Sequence, residues 1–555
     1  MPAQKKSIWR TGCNRGYITC ISGFLLTVLG IYCGMFWEDI FNWIKHKEMA
    51  LAPETRAYYN WKTPPIDLHL DIYLYNWTNP EEFYGNSSSK PVLEQLGPYR
   101  FVDRPDKVNI SWHPDNNTVT YKRRNFYYFD AAGSAGSLDD VIVTLNAVAL
   151  SAAATAKQWN SMRRSMVDVG LKLYGQQMSV VKTVDEILFT GYSDAMIDMA
   201  IAMPSGMFGD EINVPFDKFG WFYTRNGSAD LTGVFNVFTG ADEISKLGQM
   251  HSWNYKTHTG FFESDCGLVG GSAGEFQPPQ AQPGGSVSLF TADLCRSLPL
   301  DYVETVQIEG LKGYKFAGGP RSVDNGTLFP ENLCYCGGEC SPSGIMNISA
   351  CRFDSPVFMS YPHFYQADQF YVDQVEGLQP DQQAHEFYMI VAPDTGIPLE
   401  VAARFQVNML VEPIDGISLY TDIPRIFFPL IWFEQKVRIT PELADQLKLL
   451  PMVLLGGHIF AGFCLAIGLI LLCWLPMKLL LSLCRSREYD VKMQHKTNGQ
   501  YKSRDDSSSE KLPADSEKIA PDSSPLLDEA QRKLPVLINS PTKDSGISMQ
   551  LKETP

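Results

Sequence analysis

The chain has 555 residues, 45% of them hydrophobic and 20% charged, and its middle segment, residues 38–448, is long enough to bury a large core as one big domain or two. Its formal net charge at pH 7 is −15, and its basic N-terminal tail makes the remainder more acidic still. Such an acidic chain argues against nucleic acid as a partner, and an anionic ligand would need a local basic patch.

The first hydrophobic run predicts a membrane anchor near the N-terminus. Residues 17–37 contain no charged side chain, and a helix of that length can cross a bilayer core of about 30 Å. Basic residues in the preceding tail, residues 1–16, indicate that this tail is cytoplasmic. Cleavage as a signal peptide is disfavoured, because the small residues Ala50-Leu51-Ala52 lie beyond several charged ones.

Residues 38–448 are predicted to form an ectodomain outside the cell or in an organelle lumen. All the N-glycosylation sequons of the chain lie in this segment and none lies in the Ser-rich C-terminal tail, which supports that topology. The candidate glycosylation sites are Asn76, Asn86, Asn109, Asn116, Asn226, Asn325 and Asn347.

Alternating hydrophobicity predicts that the ectodomain is rich in β-strands. Every second residue from 66 to 74 is aliphatic, which is typical of a half-buried strand with Leu68, Leu70 and Ile72 facing inward. Residues 405–411 repeat the pattern. Many short strands separated by Gly/Pro turns favour an antiparallel barrel or sandwich.

A helical region at residues 146–203 interrupts the strands. Residues 146–166 are rich in Ala, Leu, Gln and Met without Gly or Pro, which predicts a helix, and residues 183–186 have the spacing of a capping box. The region is also locally basic, and it is either a solvated helical face or a patch that attracts anions. The candidate ligand-binding residues are Lys157, Arg163, Arg164, Lys172 and Lys182.

Half of the twelve cysteines lie in the ectodomain, an even number in an oxidising compartment, which predicts disulfides. They are Cys266, Cys295, Cys334, Cys336, Cys340 and Cys351. The residues alone do not choose among the pairings. A zinc site is the rival interpretation of the closely spaced trio Cys334, Cys336 and Cys340, but no histidine lies at ligand spacing nearby.

A second span is predicted at residues 449–477, where His458 is the only potential charge. The basic residues Lys478, Arg485 and Arg487 follow it and indicate that the tail, residues 478–555, is cytoplasmic. That tail is polar, Ser-rich and without apolar periodicity, which predicts disorder.

Two kinds of modification or sorting signal lie near the membrane or in the tail. Cys13 and Cys484 flank the spans and are candidates for palmitoylation, with ordinary buried thiols as the alternative. Asp522 stands four positions before the pair Leu526 and Leu527, a pattern that adaptors read when they sort cargo to endosomes and lysosomes. Coincidence is the alternative for such a short motif.

Several blocks of the ectodomain resemble the class B scavenger receptor family, which includes fatty-acid translocase and the lysosomal integral membrane protein. In family order they are Tyr75-Asn-Trp-Thr-Asn-Pro-Glu-Glu82, Leu96-Gly-Pro-Tyr-Arg-Phe101, Met359-Ser-Tyr-Pro-His-Phe364, Ala367-Asp368, Val375-Glu-Gly377, Pro393-x-Thr-Gly-x-Pro398, Asn408-x-x-Val-Glu-Pro413 and Ile431-Trp-Phe-Glu434. Together they cover nearly the whole ectodomain.

The resemblance implies an α+β membrane protein: two transmembrane helices flank a large antiparallel β-barrel-like ectodomain, with a helical bundle at its apex and an internal hydrophobic tunnel. It also implies the pairings Cys266–Cys334, Cys295–Cys351 and Cys336–Cys340, and it favours palmitoylation of the flanking cysteines. Only Lys172 stands where fatty-acid translocase has a lysine-rich stretch, so the choice of ligand does not carry over.

The function implied is that of a scavenger-type receptor at the plasma membrane, or at an endosomal or lysosomal membrane. Its partners would be lipids, fatty acids, sterols or lipoproteins, anionic phospholipid on cells, and sorting adaptors on the tail, with a homo-oligomer left open. The apex would bind the ligand and the tunnel would pass lipid to the bilayer. No catalytic residue, metal or cofactor is expected.

Three other functions compete with lipid transport. Residues 270–274 fit the G-x-S-x-G pattern of a hydrolase, but the prolines that follow do not suit the helix after a nucleophile elbow. A two-span ion channel is disfavoured because neither span carries an acidic residue to line a cation pore. A docking or sorting receptor for a protein, apoptotic cell or pathogen, without lipid flux, is the closest rival.

Overall fold

The computed structural model describes residues 3–85, 89–202, 216–279 and 282–500, with the backbone alone described for residues 3–16 and 494–500. The chain divides into two units, Met1–Leu475 and Pro476–Pro555. The first unit contains the ectodomain and the apolar parts of both terminal helices, and the second contains the end of the C-terminal helix.

The structure alternates long strands with short helices between two long terminal helices. The helices are α1 (Ala3–Met49), α2 (Arg56–Lys62), α3 (Pro80–Gly85), α4 (Ala147–Lys157), α5 (Ser161–Leu173), α6 (Ala195–Ala202), α7 (Pro320–Val323), α8 (Gln369–Val372), α9 (Gln382–His385) and α10 (Pro441–Gln500). Single helical turns occur at Glu186–Thr190, Ile244–Lys246, Ser264–Gly267, Pro330–Tyr335, Ser349–Cys351, Pro362–Phe364 and Ser418–Tyr420.

The strands are β1 (Leu68–Trp77), β2 (Leu93–His113), β3 (Thr118–Phe129), β4 (Val141–Leu145), β5 (Ser179–Thr183), β6 (Val234–Phe238), β7 (Met250–Trp253), β8 (Ser286–Thr291), β9 (Arg296–Ile308), β10 (Leu311–Ala317), β11 (Ile345–Asn347), β12 (Val357–Ser360), β13 (Tyr388–Val391), β14 (Pro398–Val411) and β15 (Ile426–Arg438).

Both terminal helices contain a segment long and apolar enough to cross a membrane, Tyr17–Met49 and Pro441–Met493 within the described residues. Both extend past the predicted spans, residues 17–37 and 449–477. In the second unit α10 continues to Gln500, and residues 478–500 contain many good helix formers and the i,i+4 ion pair Glu488–Lys492. Residues 501–555 lie outside the described part of the chain.

The ectodomain is built on one antiparallel sheet, in the order β7-β6-β3-β2-β1-β15-β14-β13-β10-β9-β8, with β12 beside β14 and β11 beside β12. The prediction of an inward-facing strand at residues 68–72 is confirmed, because Leu70 and Ile72 of β1 are buried. β1 and β14, the strands with the clearest hydrophobic pattern, both lie near the centre of the sheet, one on each side of β15.

Residues 270–274, the closing segment, connect the two edges of the sheet. The amide of Met250 in β7 donates to the carbonyl of Gly271 (2.8 Å), and the amide of Phe290 in β8 donates to the carbonyl of Ser272 (2.8 Å). Because both edge strands pair with this short segment, the sheet is nearly closed. The expected barrel is therefore confirmed and the sandwich is excluded.

The helical region contains α4, α5, α6 and a π-helical turn at Glu186–Thr190, together with the separate pair β4–β5. Residues 146–166 are helical as expected, but in two helices: α4 ends at Lys157, and the Asn160 side chain caps the amide of Arg163 (3.0 Å) at the start of α5. The capping box is present, since Thr183 Oγ1 accepts from the amide of Glu186 (3.3 Å) and Glu186 Oε2 from that of Thr183 (3.0 Å).

Two hydrophobic clusters fill the inside of the sheet. The larger one includes Ile72 and Phe101 and extends to the helical region through Ile187 and Leu188. The smaller one includes Tyr121, Phe235 and Trp61 of α2. Since α2 follows directly after α1, the smaller cluster lies at the end of the sheet from which the N-terminal apolar helix departs.

Candidate functional site

Lys157 and Arg164, two of the predicted ligand-binding cations, hold the helical region onto the loop after β14. Lys157 Nζ forms an ion pair with Glu412 Oε1 (2.5 Å), and Arg164 Nη1 donates to the carbonyl of Asp415 (2.9 Å). Arg164 Nη2 also donates to the carbonyls of Lys157 (3.1 Å) and Trp159 (3.0 Å). Intramolecular partners therefore take up much of the charge and many of the N–H donors that these side chains could present to an external anion.

Lys172 and Lys182 likewise have partners within the chain. Lys172 pairs with Asp168 one turn earlier in α5 (2.7 Å), and Asp168 also accepts from the amide of Ser418 (2.7 Å). Lys182 Nζ lies 4.7 Å from the centre of the Tyr192 ring. Arg163 lies in the first turn of α5, where Asn160 caps its amide. The structure thus places the five predicted cations in one helical region, where Lys157, Arg164, Lys172 and Lys182 contact the partners given above.

An exposed apolar stripe on α5 was missed by the sequence analysis. Met162, Met166, Val169 and Leu173 follow one another at steps of four, three and four residues, so they share one face of the helix. That face points outward, with Met162 76% and Leu173 75% exposed. The spacing was visible in the sequence, but helical periodicity alone does not tell an outward-facing stripe from a buried one.

A line of aromatic rings crosses the interior of the sheet from strand to strand and includes Phe189 of the helical region. It consists of Phe129, Phe101, Phe189, Phe222, Phe433 and Phe405, whose successive ring centres are 5.4, 4.7, 5.3, 6.5 and 6.3 Å apart. Four of these rings, on Phe129, Phe189, Phe222 and Phe433, are only partly buried. Part of the surface of these four rings is therefore accessible.

Ser272, the serine of the G-x-S-x-G pattern, has a structural role. It is 1% exposed, and its Oγ accepts from the amide of Gly274 (2.8 Å) and from Gln277 Nε2 (3.0 Å). The residue belongs to the closing segment between β7 and β8 and does not stand between a strand and a helix. Neither of these partners is a general base, so the geometry is not that of a nucleophile elbow.

Three disulfides lie in the described part of the ectodomain, and they are the pairs that the family resemblance implies. They are Cys266–Cys334, Cys295–Cys351 and Cys336–Cys340, with Cα separations of 5.9, 6.4 and 4.8 Å. Cys336–Cys340 closes a tight loop over Gly337 and Gly338, which both have positive φ and so need glycine.

The candidate glycosylation sites are spread over strands and loops. Asn109, Asn116 and Asn226 are exposed, whereas Asn76, Asn325 and Asn347 are half-buried. The side-chain oxygen of Asn76 accepts from the amide of Val143 (2.9 Å), and Asn325 Nδ2 donates to the carbonyl of Ser341 (2.8 Å). Asn86 lies outside the described residues.

The remaining candidate residues lie close to or beyond the apolar helices. Cys13 belongs to the part of α1 for which only the backbone is described, and Cys484 is exposed on α10. Asp522, Leu526 and Leu527 lie outside the described residues. Within the described residues, no group of three or more His, Cys, Asp or Glu side chains is arranged to hold a metal ion.

Comparison with known proteins agrees with this architecture. The model of the CD36 family matches residues 21–479. Protein peste of Drosophila melanogaster is 46% identical over 466 residues, which cover 84% of this chain and 82% of peste. Scavenger receptor class B member 1 of Rattus norvegicus is 32% identical over 439 residues, covering 78% of this chain and 84% of the rat protein.

A third relative is named for a lysosomal membrane and not as a scavenger receptor. Lysosome membrane protein 2 of Mus musculus is 32% identical over 426 residues, which cover 76% of this chain and 86% of the mouse protein. The rat and mouse relatives are named as a receptor and a membrane protein and not as enzymes, in agreement with the two apolar terminal helices and the structural role of Ser272. The chain is a membrane protein that belongs to the CD36 family, as the motifs of its ectodomain indicate.

Proposed function

We propose that the chain is a receptor that captures lipid or lipoprotein on its helical region and passes lipid through the interior of the sheet to the membrane. The ectodomain would lie outside the cell or in an organelle lumen, with both termini in the cytoplasm. The observation that carries this proposal is the aromatic line, which joins the helical region to the inside of the sheet with accessible ring surface along it.

The apolar stripe of α5 suits the capture step. Its four side chains present a continuous apolar face to solvent, next to the cations Arg163 and Lys172 on the same helix. Apolar side chains of this kind bury into the surface of a lipid particle, and each methylene removed from water contributes about 0.8 kcal/mol. The stripe therefore complements the predicted basic residues, which would meet anionic headgroups at its border.

The interior line suits the transfer step. A long acyl chain leaves an apolar environment slowly, because each methylene brought into water costs about 0.8 kcal/mol. Aromatic rings whose centres are less than 7 Å apart give such a chain continuous apolar contact from Phe189 to Phe405. No catalytic group is needed, since the lipid moves down its own chemical potential.

The same proposal includes the membrane in which the chain resides and its covalent modifications. The rat relative is named as a scavenger receptor and the mouse relative as a lysosome membrane protein, so we place this chain at the plasma membrane or in an endosomal or lysosomal membrane. Palmitoylation at Cys13 and Cys484, N-glycans at the seven sequons, and sorting through Asp522, Leu526 and Leu527 would belong to that cellular route.

Uptake of a fluorescent long-chain fatty acid by cells expressing the chain tests the proposal. Ala403→Trp places a large side chain on the inward face of β14, since Ala403 stands opposite Gln435 and one inward position from Phe405. This variant should bind ligand at the surface but lose most carrier-dependent uptake. Ala403→Ser, which changes the side-chain volume little, serves as the matched control.

A second pair of variants tests capture. Met162→Ser combined with Leu173→Ser removes the two most exposed side chains of the apolar stripe and should weaken lipoprotein binding several-fold at equal surface expression. Lys172→Gln leaves the stripe intact and should have a smaller effect. Normal binding without carrier-dependent uptake in the unaltered chain would contradict lipid transfer and favour the docking or sorting receptor.

A further inference from the structure

The inward faces of β2 and β3 change from apolar to charged and back. On β3 the inward residues run from Tyr127, beside the larger cluster, through Asn125 and Arg123 to Tyr121, a member of the smaller cluster. On β2 the inward residues pass from Phe101 through Asp103 to Lys107. The two hydrophobic clusters are thus separated by polar and charged side chains across the interior of the sheet.

Six charged residues form this separation, which we call the charged belt. They are Lys107, Arg123, Glu275, Arg225, Asp293 and Arg352. Glu275 pairs with Lys107 (3.2 Å) and with Arg123 (2.9 Å). Asp293 pairs with Arg225 (2.8 Å) and with Arg352 (3.1 Å). Each carboxylate therefore has two cations, and the belt carries four positive charges against two negative ones.

The group formed by Arg225, Asp293 and Arg352 is surrounded by protein, yet its side chains are partly accessible. The side chain of Asp293 is 44% accessible and those of Arg225 and Arg352 are 25% and 29% accessible, yet all three are deeply surrounded by protein. Burial alone would raise the pKa of Asp293, but the two arginines outweigh it and lower the pKa to about 2. The group is therefore ionised, surrounded by protein and partly accessible, as a group that meets a ligand inside the sheet would be.

The belt and the aromatic line meet. The Arg225 guanidinium lies 5.9 Å from the centre of the Phe222 ring, and Phe222 is the middle of the aromatic line. Tyr127 lies between them, 6.2 Å from the Phe222 ring and close enough to interact electrostatically with Arg225. A ligand whose tail follows the rings would therefore bring its headgroup to the arginines.

We propose that Arg225 and Arg352 bind the anionic headgroup of a single-chain lipid inside the sheet, and that the charged belt selects such lipids over neutral ones. The inference rests on the proposed transfer function and names the ligand class for its interior. Two arginines that share one carboxylate keep N–H donors for a second anion, a carboxylate or a phosphate. Asp103, which borders the belt, offsets one further charge and leaves the interior net positive.

A neutral lipid lacks the negative charge that would complement the positive belt. An ester can accept hydrogen bonds but brings no charge, so it leaves the excess positive charge of the belt uncompensated. A charged headgroup gains charge-assisted hydrogen bonds, each roughly twice as strong as a neutral one. We expect the preference for an anionic lipid over its methyl ester to be about tenfold or more.

The test measures binding of three fluorescent lipids to the purified full-length chain in detergent. The probes are a long-chain fatty acid, its methyl ester and a monoacyl phosphate of the same chain length. The key variant replaces the whole group isosterically, Arg225→Gln with Asp293→Asn and Arg352→Gln, so that no buried charge is left without a partner. Arg104→Gln, on an exposed ion pair with Asp67, is the control.

The expected result is tight binding of the two anionic probes by the unaltered chain and by the control. The triple variant should lose the preference while it still binds the ester. Equal affinity for acid and ester in the unaltered chain would overturn the selection and leave the proposed transfer function standing. A preference that survives in the triple variant would also overturn it. If no probe binds the unaltered chain, the transfer function itself fails.

Discussion

Asp103 is the interior residue whose charge depends most on pH. It is 1% exposed, and its carboxylate accepts from Asn125 Nδ2 (2.8 Å) and Gln435 Nε2 (2.8 Å). Burial raises its pKa to about 6, although these hydrogen bonds and Lys107 act in the opposite direction. As the pH falls through 6 in the folded protein, Asp103 takes up a proton and the interior becomes more positive by one charge.

We expect a single-chain lipid with a permanently charged sulfonate headgroup to bind more tightly at pH 5.5 than at pH 7.5. One charge at an effective dielectric constant of about 20 corresponds to a three- to tenfold change. Asp103→Asn should bind at the low-pH level throughout, because the amide mimics the protonated acid. A fluorescence titration at the two pH values measures this, and equal pH dependence in the variant would contradict the role of Asp103.

The stacked pair His363 and His385 makes stability depend on pH. Their ring centres are 4.4 Å apart and both residues are 5% exposed. Burial lowers the pKa of His363 to about 3 and that of His385 to about 4. A histidine of the unfolded chain has a pKa near 6.5, so the stabilisation is fully present above that value and decreases as the pH falls toward 4.

His385→Asn tests this. The Asn side chain can still accept from the amide of Asp381, as His385 Nδ1 does (2.9 Å), but it does not titrate. One such histidine accounts for a loss of about 2 kcal/mol in the free energy of unfolding between pH 7 and pH 5. The variant should therefore lose about 2 kcal/mol less over that range, in denaturant unfolding of the full chain. His113→Asn, at an exposed position, is the control substitution.

The closing segment shows how one element depends on its glycines. Gly271 has φ of +76°, and an added Cβ would lie 2.6 Å from the carbonyl oxygen of Ser288 in β8, a backbone atom that cannot move aside. Gly274 also has positive φ (+104°), but an added Cβ there meets nothing within 4 Å. Gly270 has neither restriction.

We therefore expect three grades of effect from alanine substitutions. Gly270→Ala should be nearly neutral, Gly274→Ala should cost about 1 kcal/mol for the left-handed backbone, and Gly271→Ala should cost at least about 2 kcal/mol through loss of close pairing with β8. Denaturant unfolding of the full chain measures the three. Equal effects of Gly271→Ala and Gly274→Ala would show that pairing at Ser288 contributes little.

The elements that the sequence predicted well are those with a local pattern. β1 and the later part of β14 follow a period of two, and the capping box at Thr183 depends on residues three apart. The break between α4 and α5 was missed because Asn160 stands in a segment of good helix formers. The role of residues 270–274 was also hidden, since it depends on strands before and after them along the chain.

At the scale of the whole molecule, function depends on contacts between distant segments, which periodicity does not reveal. All five predicted cations lie in the helical region, and Lys157 and Arg164 have partners at Glu412 and Asp415, about 250 positions away. The charged belt likewise joins Arg225, Asp293 and Arg352 from three separate loops or turns. Hydrophobic runs and sequence motifs predicted the class of protein, and tertiary pairing decides which charges are available to a ligand.

The two apolar helices, which are far apart in the sequence, contact each other at glycine residues. An added Cβ at Gly30 of α1 would lie 2.6 Å from the amide nitrogen of Leu465 and 2.9 Å from the carbonyl oxygen of Ala461 in α10, so the two backbones touch. Gly34, one turn further along α1, faces the Ala461 side chain, and their Cβ atoms would be 4.0 Å apart. Gly462, by contrast, faces open space.

A cysteine at each of positions 34 and 461 should therefore form a disulfide within one chain, because 4.0 Å lies within the usual Cβ–Cβ range. The experiment uses Gly34→Cys with Ala461→Cys after the native cysteines of both apolar segments are changed to alanine, and the yield is read from gel mobility under oxidising conditions. Gly30→Ile in this background should reduce the yield by more than half, since a β-branched side chain forces the backbones apart. Gly462→Ile adds the same side chain on the open side of α10 and should leave the yield unchanged. Equal yields in both variants would show that the two helices do not pair through Gly30.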